Sequence, residues 1–172
     1  MEQTTWLANA LEASRAHWKI AFAHHPYLSN GVHGNAGSYD EDLKKRDKSK
    51  DSKFATGKLW KKLLEETVCA RGVDLYLSGH DHDLEWLKPV EACGRTEFIL
   101  SGGGEGGGKR RSFGNAERNP VRWEADQTGG FFWIELTEKQ ITIAAFTVAT
   151  NGQMERDKKE QPKPAYERTI ER

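Results

Sequence analysis

The chain has 172 residues, enough for one modest domain or for part of a larger one. Lysine plus arginine and aspartate plus glutamate number 26 each, so no global field points to nucleic acid or to an anionic membrane surface as partner. No stretch approaches the roughly 18 apolar residues of a membrane span, and MEQTTWLANALEAS has neither the basic start nor the apolar core of a signal peptide.

In TTWLANALEASRAHW, residues Trp6, Leu7, Ala10, Leu11 and Ala13 fall on one helical face, with Thr4 or Thr5 available as N-cap. KIAFAHHP then reads as a buried strand, closed where Pro26 removes a donor and pushes His25 toward an extended conformation. From Gly31 to Lys53 the chain is glycine-rich and then densely charged without apolar spacing, the pattern of a long solvated loop, with an insertion expected at about 34–55. A second helix is expected from Thr56 through GKLWKKLLEETVCAR, burying Leu59, Trp60, Leu63, Leu64 and Thr67 or Val68 and stopping at Gly72. VDLYLS, LEWLKPV and TEFILS read as strands. GGFFWIELTEKQITIAAFTVAT reads as a β-hairpin turning at about Thr137 to Gln140. The residues from Asn151 read as a charged surface tail, 151–172, that frays beyond a domain spanning 1–150.

The order helix, strand, loop, helix, strand predicts an α/β domain with at least one parallel strand pair and functional loops at the carboxyl ends of the strands. Both histidine clusters fall there. His24 and His25 close one strand, and LYLSGHDHDLEWL follows another with His80 and His82 at i, i+2, a spacing that projects both side chains to one side. One H-x-H alone is weak, since two histidines on an exposed turn are as often plain surface residues. The cysteines Cys69 and Cys93 each precede an apolar run by about four residues, so neighbouring parallel strands would let the sulfurs meet; a disulfide and two reduced thiols both remain open. The glycines of SGGGEGGGKRRSFG lack phosphate-loop spacing, which leaves a flexible connection with Lys109, Arg110 and Arg111 as weak substrate contacts.

Together, AFAHHPYLSNGVHG, LYLSGHDHDLEWL and FILSGGG resemble the second half of a calcineurin-like metallophosphoesterase, and most closely its purple acid phosphatase branch of the tartrate-resistant type. The match in order extends to about Val148. It implies part of an αββα sandwich, a mixed sheet with flanking helices and a C-terminal β-hairpin. It implies a metal-dependent phosphoric ester hydrolase of acid phosphatase type acting on a phosphate monoester. His24 and His80 would hold one divalent ion, His82 the other, and His33 would stand near the substrate phosphate to help protonate the leaving oxygen. His25 matches no ligand position and is read as packing, or as a hydrogen-bond donor behind the ligands. The complete enzyme would carry two metal ions, iron with zinc, manganese or iron. The resemblance, with a possible Cys69–Cys93 bond, suggests a secreted or periplasmic setting.

The first-half motifs of that family, an early DxG, G-D-x-x-Y and G-N-H-[DE], do not occur in the sequence. The expectation is a C-terminal portion whose partner is the missing N-terminal half of the same domain, with Met1 an internal start or a truncated reading frame. Two metals about 3.5 to 4 Å apart need a bridging oxygen ligand to offset their repulsion, and neutral imidazoles cannot supply it. At most one ion is therefore expected in this chain, three nitrogens plus water in the manner of an open zinc site. Asp81, Asp83, Asp40 and Glu105 are the candidate extra carboxylates, each read first as a solvated loop residue or as an orienting partner of a histidine. As an isolated chain it is expected to be weakly active or inactive. The alternatives are a mononuclear metal-binding domain and a non-catalytic fragment.

Overall fold

The structure, a computed structural model, describes residues 3–38, 57–104, 113–149 and 151–172. Two helices, α1 (Gln3–Ala13) and α2 (Gly57–Leu64), alternate with β1 (Ile20–Phe22), β2 (Leu75–Ser78), β3 (Leu84–Leu87) and β4 (Glu97–Ser101). Four more strands follow: β5 (Val121–Ala125), β6 (Gly129–Leu136), β7 (Gln140–Val148) and β8 (Tyr166–Glu171). None of the described helices is long and apolar enough to cross a membrane.

Strands β1 to β5 form a mixed sheet in the order β1-β2-β4-β3-β5, in which β1, β2 and β4 run parallel and β3 pairs antiparallel with both β4 and β5. Strands β6, β7 and β8 form a separate antiparallel sheet. The expected hairpin is β6 to β7, its turn closed by the Thr137 N–H to the Gln140 carbonyl at 2.9 Å. The sheets meet through Leu75, Trp86 and Ile99 on one side and Ile141 and Ile143 on the other. On the opposite face of the mixed sheet, Tyr76, Leu87 and Phe98 pack against Leu64 and Val68 from the second helical segment. The central strand β4 is thus buried on both faces, which is why its centre, Phe98–Leu100, is a continuous apolar run rather than an alternation. This is the expected α/β arrangement of mixed sheet, flanking helices and C-terminal hairpin.

Several local expectations change. Thr4 and Thr5 lie inside α1, already formed at Gln3, and do not cap it. Strand β1 is an edge strand rather than a buried one: Phe22, two residues beyond Ile20, is 82% exposed. The second helix passes into a π-helical turn at Glu65–Cys69 before Gly72 ends it in a left-handed conformation (φ 61°). Leu59 is exposed, in the groove between α1 and α2, while Leu64, Thr67 and Val68 take the buried face. The presumed fraying tail supplies β8, whose Ile170 faces Ile141 across the pair and seals the sheet edge. Strand β5 has no counterpart in the sequence reading. Cys69 and Cys93 are bonded, joining the π-helical turn to the 3₁₀ turn Glu91–Cys93 just before β4. The starting Thr56, the charged 34–55 insertion beyond residue 38, and the basic triplet Lys109, Arg110 and Arg111 lie outside the described residues.

Candidate metal centre

The parallel pairing of β1 with β2 sets the site. Its register is Phe22 opposite Leu77, and hydrogen bonds continue it past the strand ends, from Ala23 N–H to Leu77 O (3.0 Å) and from Gly79 N–H to His24 O (3.1 Å). His24 therefore stands opposite Gly79, and His80 emerges one residue further on. His80 has φ 77°, the left-handed region that costs a residue with a side chain about 1 kcal/mol or more, and this turn aims its ring back over β1. The His80 Nδ1 and His24 Nε2 atoms are 3.2 Å apart.

His25 joins them. The nitrogens of His24, His25 and His80 all lie within 4.8 Å of one another, and the His25 ring centroid is 4.4 Å from that of His80 and 5.0 Å from that of His24. Its backbone is pinned at the carbonyl oxygen, which accepts hydrogen bonds from Tyr76 Oη (2.7 Å) and Trp60 Nε1 (3.2 Å). The His33 ring lies 4.4 Å from that of His80 on a separate loop. His82 is exposed and is not part of the three-nitrogen group among the described residues, although its charge bears on His80. Burial, then the charges of His33, His25, His24 and His82, push the His80 imidazole down to about 4. Burial and then His24 and His33 also lower His25. Both shifts favour the neutral imidazole, the form that binds a metal.

Beneath the histidines lies a web of buried acids and amides. Asp81 accepts from Ser29 Oγ (2.5 Å) through Oδ2 and from the His33 backbone N–H (3.1 Å) through Oδ1. Gly31 lies directly against this carboxyl group: a Cβ there would come within 2.3 Å of Asp81 Cγ. Glu85 accepts from the Asn30 N–H (2.8 Å), the Gly31 N–H (3.2 Å) and Ser29 Oγ (3.1 Å). Asp83, also buried, has one oxygen, Oδ1, without a hydrogen-bond partner. Burial raises Asp83 well above the usual carboxylate range, with the neighbouring charges of Glu85 and Asp81 adding to the effect. Glu85 is raised for the same first reason, against the pull of its donors. A second bracket comes from downstream: Asn119 Nδ2 donates to Asn35 Oδ1 (2.8 Å), its backbone N–H donates to Asn30 Oδ1 (2.7 Å), and Asn115 Nδ2 donates to Ser29 O (2.8 Å).

Of the two readings given for Asp81 and Asp83, the solvated loop residue is overturned, since both are inside the protein, while Asp81 holds the backbone N–H of a histidine, His33. Asp40 and Glu105 lie outside the described residues. Glu85 and the asparagine web went unread, although the signal existed: Asp81, Asp83 and Glu85 alternate at i, i+2 and enter the strand face that carries buried Leu87.

The donor set fits one metal ion. The 3.2 Å His24–His80 nitrogen pair is at hydrogen-bond distance, and it is also close to the edge of about 3.3 Å that metal–nitrogen distances near 2.0–2.1 Å give a tetrahedral ion. No carboxylate oxygen joins the three nitrogens among the described residues, so the bridge that a second ion needs is not among them.

No protein-family model matches the chain. Among curated proteins it is 32% identical over 139 residues to purple acid phosphatase 3 of Arabidopsis thaliana, covering 81% of this chain and 31% of that protein. It is 28% identical over 145 residues to tartrate-resistant acid phosphatase type 5 of Homo sapiens, covering 82% and 37%. Among solved structures, purple acid phosphatase PPD1 from yellow lupin seeds superposes with a TM-score of 0.61 at 17% identity, covering 99% of this chain and 28% of that one, a likeness of fold. The chain spans about a third of the length of the curated relatives it matches.

Proposed function

From the premise that this chain is similar to the C-terminal region of the calcineurin-like metallophosphoesterases, in the purple acid phosphatase branch, we propose that it carries the histidine half of a metal-dependent phosphoric ester hydrolase. The convergence of His24 and His80 from two parallel strand ends, 3.2 Å apart, is the observation that carries this reading. His24 and His80 hold one ion and His82 the other, with His33 beside the substrate phosphate. Bound there, the cations supply Lewis acidity, lowering the pKa of a water and neutralising charge on the phosphate oxygens.

The chain's own residues have two further tasks. His33 hydrogen-bonds or protonates the oxygen of the departing alcohol, and its half-buried ring is steadied because Asp81 grips its backbone N–H at 3.1 Å. His24 and His82 are exposed, which leaves the rim open to a phosphate monoester. The bridging carboxylate and the remaining oxygen ligands come from a segment corresponding to the N-terminal portion of the relatives, so this chain alone turns over weakly or not at all. Iron with zinc, manganese or iron fits such a completed centre. The Cys69–Cys93 bond favours an oxidising compartment, secreted or periplasmic.

The test is a phosphatase assay with p-nitrophenyl phosphate beside a metal titration, on this chain and on a version extended by the N-terminal portion of a relative. We expect at least a hundredfold higher turnover in the extended protein and its loss in His80→Ala. Equal turnover in the short chain, or a His80→Ala extended protein that keeps its rate, would overturn the reading.

A further inference from the structure

Resting on the reading that His24 and His80 share an ion, the geometry points to His25, not His82, as the third ligand in this chain. We infer that the protein binds a single borderline first-row cation of the Zn²⁺ or Co²⁺ class through His24, His25 and His80.

The three ring nitrogens fall within 4.8 Å of one another, and the shortest pair already has the spacing of two ligands on one ion. The ring centroids lie 4.4 to 5.1 Å apart, with interplanar angles of 44° to 84°, so the imidazoles meet edge-on or tilted rather than stacked. Tyr76 and Trp60 fix the backbone of His25 at its carbonyl, and the Trp60 ring lies 6.5 Å from the imidazole on its other side, so the side chain is held at the rim in advance of any ion. Beyond β1 the backbone bends at His24 and His25, and both ring centroids come within 5.1 Å of that of His80.

The donor chemistry narrows the ligand. Three neutral imidazoles and no carboxylate suit zinc, cobalt, nickel or copper, and they disfavour calcium and magnesium, which demand oxygen. The fourth position would be water, as in open three-histidine sites. Where the family resemblance assigns His25 no metal, the geometry of this chain gives it one.

The experiment is a Co²⁺ titration of the metal-stripped full chain, followed by visible absorption and then by displacement with Zn²⁺. The wild type should bind one equivalent with the intense bands of a four-coordinate ion. His80→Ala should abolish binding, His25→Ala and His25→Gln should each weaken it by at least tenfold, and His17→Ala, at an exposed histidine on another surface, should leave it unchanged. Circular dichroism of the His25 variants separates lost ligation from lost folding. Imidazole ¹⁵N shifts on Zn²⁺ addition, read in the wild type, identify the ligands without any substitution: His24, His25 and His80 should move and His82 should not. If instead His82 shifts and His25 does not, or His82→Ala weakens binding where His25→Ala does not, the inference falls while the phosphoesterase reading stands. If the wild type takes up no cobalt, the inference falls as well, and the extended protein tests the phosphoesterase reading separately.

Discussion

The histidine rim and the web below it are built on opposite terms. The rim is open, with His24, His25 and His82 exposed and His80 held in a left-handed backbone conformation. The web is closed: Asp81, Asp83, Glu85, Ser29 and Asn30 are all buried, and all but Asp83 have every acidic or amide group engaged by a donor or acceptor in the loops they join. Rim residues have lone pairs that could serve a cation, whereas web residues spend theirs on the loop that carries His33. The difference teaches that geometry at the rim is maintained from underneath. Substitutions in the two layers should therefore fail differently, the web losing the fold and the rim losing the ion.

The largest effect is expected at Glu85→Ala. It strips the acceptor from two backbone N–H groups in a fully buried loop and should lower stability by about 3 kcal/mol, read as a shifted urea midpoint. A change under about 1 kcal/mol would mean that the carboxylates repel one another as strongly as they hold the loop. Asp81→Ala should cost somewhat less, about 2 kcal/mol. Its particular signature is faster hydrogen exchange at the His33 amide, with the β4 amides unaffected, since Asp81 is what that N–H donates to.

His80→Gly should move the opposite way. Glycine adopts φ 77° without a Cβ penalty, so the fold should gain up to about 1 kcal/mol even as metal binding disappears. A destabilised glycine variant would show that the imidazole packs more than it strains.

Asp83→Asn tests the web by pH. Because the folded pKa of Asp83 lies above its unfolded value, the native state holds a proton that the unfolded chain releases once pH exceeds about 4. Stability is then complete below that value and declines as pH rises toward the elevated folded pKa, with Glu85 acting in the same sense. The amide stays neutral, so the variant should be at least as stable as the wild type at neutral pH and should flatten the decline from about pH 4 upward. Denaturation midpoints at several pH values read this, and an unchanged slope would place the titrating group elsewhere. The smallest effect belongs to the exposed His24: replacement by alanine should shift stability by no more than about 0.5 kcal/mol while removing a ligand.

Much of the architecture was legible in the chain because short-range physics decides it. The short apolar runs Leu75–Leu77 and Phe98–Leu100 marked two strands. The same two runs, each preceded by a cysteine, made a bond between Cys69 and Cys93 possible, and the parallel pairing of β2 with β4 realised it. β5 and β8 were not legible. VRWEA alternates but is only five residues long, and YERTIE runs Glu167, Arg168 and Thr169 in succession, so each is stabilised as a strand by pairing with β3 or β7. The exposure of Phe22 was equally hidden, since a strand's face is written in its alternation but the cover over that face is not.

The sequence by itself determined that histidines close one strand and follow another, because a proline and a glycine end those runs locally. It also determined that parallel pairing would carry both clusters to one rim. Which imidazoles meet there was decided only by tertiary structure: the register of β1 on β2 and the left-handed turn at His80 bring His25 into the group and leave His82 outside it. The same holds for Asp81 and Glu85, acidic in any reading of the chain, whose burial depends on donors about fifty residues away. A charged side chain prefers water until a folded surface offers it hydrogen bonds, and no local pattern encodes that offer.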